Sequence, residues 1–132
     1  MITVLDANAA IRFSLGQTGH EPVAEILKKA DWVVAPSLYL YEIANVMWKY
    51  YQEGTLPQEA LKRKTLNCAG LIDELLPTAE LYAECFDLAC RLGHPAYDMA
   101  YLATCRKKEA GLISYDRKML GLVQKLNIIC YP

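Results

Sequence analysis

"ITVLDANAAIRFSL", residues 2–15, changes its period at Asp6. Residues 2–5 are a short apolar run rich in β-formers, and from residue 9 to 15 the apolar positions fall at helical spacing. A strand passing almost directly into a helix, with an acid at the junction, sets the pattern that the rest of the chain follows.

Working outward, residues 21–30 read as a helix with Pro22 in its first turn, and 32–35 as a second strand. Pro36 and Ser37 open a long helix over 38–52, closed by Gly54. Pro57 begins another that runs through 58–69. "LIDELL" (71–76) is ambiguous by pattern, and its position suggests a strand. Thr78 is placed to cap a helix over 79–92 that Gly93 ends. Residues 96–108 follow as a helix, 111–114 as a strand, 117–126 as a helix capped by Asp116, and 127–131 as a last short strand. Strands that alternate with connections too long for hairpins predict an α/β fold: a parallel sheet of four to five short strands sandwiched by helices in three layers.

The 132 residues are 54% apolar and 22% charged, which predicts one packed domain rather than disorder. There is no Ser/Gly-rich linker and no repeat of fixed period. The first residues lack a basic segment leading into an unbroken apolar one, so secretion is not expected, and the apolar runs are too short to span a membrane. Five cysteines, odd in number and without a CxxC pair, fit reduced, buried thiols and a cytoplasmic protein. A net charge of −1 gives no global nucleic-acid signature, so such a partner would have to be met by a local basic patch.

The topology brings four acids to one edge. Asp6 directly follows the first strand. Glu42 lies about one turn into the helix after the second strand, and Asp116 comes two residues after 111–114. Asp98 stands near the start of the helix before that strand, so a parallel strand turns this helix start back to the carboxyl edge, where ligands of such sheets bind. Each acid also has an ordinary explanation. Asp116 suits an N-cap, Asp98 a helix dipole, and Glu42 a solvated stripe with Asn45 and Lys49. Asp98 nonetheless shares a helical face with Tyr101, Leu102 and Cys105, a stripe otherwise fit for burial. Four unpaired carboxylates close together would repel one another, and a hard divalent cation removes that cost. Mg²⁺ or Mn²⁺ takes oxygen ligands, keeps several waters, and suits one or two carboxylates with phosphate oxygens. Metal-dependent phosphodiester hydrolysis is the reaction this set suggests.

"VLDAN", "LYEIANVMWK", "YDMAYLATC" and "LISYD" together resemble the PIN domain family in order, spacing and overall length. The likeness spans essentially the whole chain and is greatest to the small VapC-type toxins of toxin–antitoxin pairs. It implies a Mg²⁺- or Mn²⁺-dependent ribonuclease with Asp6, Glu42, Asp98 and Asp116 as its acidic metal-site residues, Asp6 and Asp98 the most direct ligands. It places Ser114 as a support of that site and Asn8 where many members carry Ser. It also implies an RNA substrate, a homodimer, and a small VapB-type antitoxin whose tail enters the active-site groove.

Arg12, six residues after Asp6, is a candidate to contact a scissile phosphate or an antitoxin carboxylate, or to balance the acids. Arg117 and Lys118 are weaker candidates of the same kind. The runs "KRK" (62–64) and "RKK" (106–108) read first as solvated helix faces and second as grips on an RNA backbone. His20 and His94 suit capping or surface roles. Tyr39, Tyr41, Trp48, Tyr50 and Tyr51 crowd one helix, which leaves it a surface for a dimer or an antitoxin. The competing functions are a PIN-like module that binds RNA or protein without cutting, a phosphoacceptor receiver domain and a haloacid-dehalogenase-like phosphatase. "LDAN" lacks the second acid that the last two need.

Overall fold

The computed structural model describes residues 1–131. The strands are β1 (Ile2–Leu5), β2 (Trp32–Pro36), β3 (Glu74–Leu76), β4 (Gly111–Ile113) and β5 (Cys130–Tyr131). All pair in parallel in the order β3-β2-β1-β4-β5. The central register sets Thr3 opposite both Val33 and Gly111. Val4, Leu5, Val34, Leu112 and Ile113 are all out of contact with water. That is the burial expected of a parallel sheet covered on both faces, and it explains why the strands read as unbroken apolar runs.

The covering helices are α1 (Ala7–Ser14), α2 (Glu21–Lys29), α3 (Leu38–Glu53), α4 (Gln58–Gly70), α5 (Thr78–Leu92), α6 (Ala100–Lys108) and α7 (Arg117–Val123). α1, α3 and α7 each start within a few residues of a strand end, so their N-termini gather at the carboxyl edge of the sheet. The sandwiched parallel fold expected from the sequence is the fold observed.

Several details differ. α1 begins at Ala7 rather than residue 9, because Asp6 caps it through the Ala9 amide at 2.8 Å. The stretch 96–108 is not one α-helix: residues 96–99 form a 3-10 turn in which the Asp98 amide donates to the Pro95 carbonyl, and α6 starts at Ala100. Nor does α6 bury a single stripe. Ala100 through Cys105 are all buried, since the helix packs against α5 on one side and β1, β2 and β4 on the other.

Thr78 does not cap α5. It lies inside the first turn after Pro77, and its hydroxyl meets that of Ser37 at 3.1 Å instead. Ser37, at the start of α3, likewise makes no side-chain cap bond. The third strand is only Glu74–Leu76, and the last only Cys130–Tyr131, because a 3-10 turn at Gln124–Leu126 and a left-handed Asn127 precede it. β4 ends at Ile113, yet the Ser114 amide still donates to the Tyr131 carbonyl.

The five cysteines are free thiols. Cys68, Cys85 and Cys105 are buried and Cys130 half-buried, while Cys90 is exposed, against the expectation that all are buried. The "RKK" run lies on a largely solvated face, as its first reading expects, but it is not a free grip: Arg106 pairs with Glu84 at 3.0 Å, Lys107 with Glu80 at 3.6 Å and Lys108 with Glu74 at 2.9 Å. These pairs tie α6 to α5 and β3, and at such exposure each contributes little stability. Among the described residues no helix is long and apolar enough to cross a membrane.

Candidate active site

At the carboxyl edge, Asp6 occupies the step between β1 and α1. Its amide extends the sheet by donating to the Ile113 carbonyl at 3.1 Å. The carboxylate is 3% exposed, and both oxygens are taken: Oδ1 accepts from the Ala9 amide and Oδ2 from the Ser114 hydroxyl. Ser114 Oγ in turn accepts from the Asp116 amide at 3.0 Å, and Asp116 caps α7 by accepting from the Lys118 amide at 2.9 Å. One chain of hydrogen bonds therefore joins the ends of β1 and β4 and fixes Asp6 in a single orientation.

Burial pushes the Asp6 carboxyl up from 3.8 to about 6, with the Asp116 charge adding to the rise. The Ser114 hydroxyl and the Ala9 and Asn8 amides offset part of it. The Glu42 carboxyl, one turn into α3, is also raised, chiefly by burial and further by the charges of Asp6, Asp98 and Asp116. The Tyr101 hydroxyl faces Glu42 and holds it down somewhat, but neither Glu42 Oε1 nor the Tyr101 hydroxyl closes a hydrogen bond of normal geometry.

Asp6, Glu42, Asp98 and Asp116 line one cleft of about 500 Å³, with Asn8 and Arg12 on the same wall. The seven residues that the sequence marks out are thus placed as follows: six share this cleft, and the seventh, Ser114, lies buried just behind Asp6. Glu42 leaves the exposed polar stripe of Asn45 and Lys49 and turns inward. The sequence reading missed Gln17 and Tyr50, which join across the cleft at 3.0 Å, and Tyr97 beside Asp98. Gln17 and Tyr97 sit at no patterned position and Tyr50 belongs to the aromatic crowd on α3 read as an outer surface, so only packing reveals their place in the cleft. His94 is half-buried in a small side cleft with Asp98, Asp116 and Lys118.

Among the described residues no three Asp, Glu, His or Cys side chains stand close enough to hold an ion between them. The donor set nevertheless suits a hard cation. It is all oxygen, it includes a buried carboxylate oxygen on Glu42 with no partner, and Mg²⁺ characteristically takes only one or two protein carboxylates and fills the rest of its shell with water.

The PIN domain model matches residues 3–123. The chain belongs to the PIN domain family. Ribonuclease VapC3 of Pyrobaculum aerophilum is 26% identical to this PIN domain over 128 residues, covering 90% of this chain and 92% of that one. Among solved structures, PAE2754 from Pyrobaculum aerophilum superposes with a TM-score of 0.73 at 21% identity, over 92% of this chain and 78% of that one. VapBC2 from Rickettsia felis, bound to a DNA fragment from its promoter, matches with a TM-score of 0.68 at 16% identity, over 98% of this chain and 97% of that one. VapBC-1 from nontypeable Haemophilus influenzae gives 0.67 at 18%, over 98% and 96%. At these identities the structural likenesses establish the fold. The family rests on the match to residues 3–123.

Proposed function

We propose that this PIN domain is a Mg²⁺- or Mn²⁺-dependent endoribonuclease and the toxin of a toxin–antitoxin pair. One observation carries the reading: acids from four separate elements share one cleft, and burial together with the neighbouring acids pushes up the carboxyls of Asp6 and Glu42 there. A structural role does not account for that arrangement, because each buried carboxylate opposes its neighbours.

Asp6 and Asp98 would hold the ion, with Glu42 and Asp116 completing the site directly or through water. When bound, such an ion orients a phosphodiester, supplies hydroxide for in-line attack and stabilises the charge on the departing oxygen. The chain's own part is positional. Ser114 and the Ala9 amide lock both Asp6 oxygens, Asp116 is held by its place at the start of α7, and Ile11, Leu38 and Met119 wall the acids with apolar surface.

A VapB-type antitoxin and a second copy of the chain are the partners this reading includes. Exposed aromatic side chains offer area for them, Tyr41, Trp48 and Tyr51 on α3 and Tyr82 and Phe86 on α5. The name of the VapC3 relative and the VapBC assemblies among the structural neighbours support both the activity and the partner. A PIN module that binds without cutting is favoured by one observation, that no three acids stand within joint ligating reach among the described residues.

The two are separated by Asp98→Asn. The expected result is loss of Mn²⁺-dependent cleavage of single-stranded RNA with an unchanged circular dichroism spectrum. Full activity of that variant, or of the native protein in excess chelator, overturns the proposal.

A further inference from the structure

Arg12 lines the cleft of the acids, yet among the described residues it forms no ion pair with any carboxylate. Its guanidinium lies over the ring of Tyr115 at 4.1 Å from the centroid. The one hydrogen bond it makes is long, 3.4 Å from a terminal nitrogen to the Thr18 carbonyl, and its buried Nε has no acceptor. A guanidinium carries five donors in a rigid fork, so most of this one's capacity is unused while it faces a cleft.

The support beneath it is built. The Tyr115 hydroxyl donates to the Gly19 carbonyl, which anchors the ring against the loop after α1. A Cβ on Gly19 would sit 3.4 Å from the same Arg12 nitrogen, so the loop packs close against the fork. Stacking fixes the plane of a guanidinium and leaves its edge for a planar or tetrahedral oxyanion. An orphaned, oriented fork in a cleft of acids is explained by an anion that arrives with the ligand.

We propose that Arg12 grips the RNA phosphate adjacent to the one to be cut, and that Tyr115 is its positioning residue. This rests on the ribonuclease reading above. Arg12 lies six residues beyond Asp6, the N-cap of α1, about 9 Å along the helix axis. Its fork is held on the Tyr115 ring beside the Thr18 carbonyl, a placement that favours a neighbouring phosphate over the one at the acids. A polyanion threaded along the cleft supplies a second phosphate beside the one that the acids and their ion would engage.

The test pairs protein variants with a short single-stranded RNA carrying a neutral methylphosphonate at one position at a time. In the native protein one substitution next to the scissile position weakens binding by about tenfold, measured with Ca²⁺ in place of Mn²⁺. In Arg12→Ala affinity falls by a similar factor, the same methylphosphonate adds nothing further, and the salt dependence loses about one phosphate contact. The loss falls on KM rather than on kcat. Arg12→Lys recovers part of it, Tyr115→Phe most of it, and Tyr115→Leu behaves like Arg12→Ala.

Additive effects of Arg12→Ala and every methylphosphonate would overturn the proposal, as would a loss confined to kcat. So would intact RNA binding accompanied by lost inhibition by an antitoxin, which assigns Arg12 to a protein partner. If the non-additive binding pattern appears in a protein that cuts no RNA, it is the ribonuclease reading that fails. If the native protein cuts and the pattern is absent, this inference alone fails.

Discussion

At Asp6 one carboxylate caps a helix, accepts the Ser114 hydroxyl and stays out of water, and these demands give it a pH signature. With its carboxyl held at about 6 against an ordinary 3.8, the folded metal-free protein binds the proton more readily than the unfolded chain does between those values. The contribution to stability is therefore present in acid and is lost as pH rises through about 6. Metal-free native protein should unfold at higher urea near pH 4 than near pH 7 by roughly 2–3 kcal/mol from this group, and Asp6→Asn should flatten that difference. Activity has the opposite slope, since a cation competes with the proton: cleavage should fall as pH drops through about 6. Ser114→Ala removes a hydroxyl that lowers the Asp6 carboxyl, so its acid limb should move to higher pH. A limb that stays in place would show that Ser114 does not act through Asp6. Asp6 is marked out as a candidate site residue by its place after a strand, but its proton affinity depends on burial that no local pattern encodes.

Among the elements, α7 shows how one residue can combine a structural task with a proposed chemical one. Asp116 caps the helix through its own side chain, the role its sequence position suggests, while lining the cleft. The two tasks separate by substitution. Asn accepts the same amide hydrogen bond, so Asp116→Asn should keep the thermal midpoint and lose cleavage, whereas Asp116→Ala should lose cleavage and about 1 kcal/mol of stability as well. Equal stability of the two variants would mean the cap bond contributes nothing. Other helix ends were less legible. Thr78 has the chemistry of a cap, yet Pro77 occupies that position and the hydroxyl turns to Ser37, since the α3 start is packed beside it. The 3-10 turn under Asp98 follows Pro95 and leads into a helix pinned on both sides, and neither cause can be seen in the apolar spacing of 98–105.

For the whole molecule, α6 is the keystone, because its buried face meets three strands and α5 while its first turn faces the acids. Leu102, fully buried at its centre, should cost roughly 2–5 kcal/mol on substitution by Ala, read as a lowered urea midpoint. The sequence by itself determined the parallel α/β class, the strand and helix sequence, and the choice of Asp6, Glu42, Asp98 and Asp116. Period, turn residues and crossover length are local or statistical properties of a chain. Only the tertiary structure decided the strand order that puts β4 beside β1, and with it the bond from Ser114 to Asp6 across more than a hundred residues. It also decided that "RKK" is consumed by three glutamates while Arg12 is left stacked and unpaired. Charge pairing, desolvation and ring stacking depend on distances through space, and those are set when the layers close on one another.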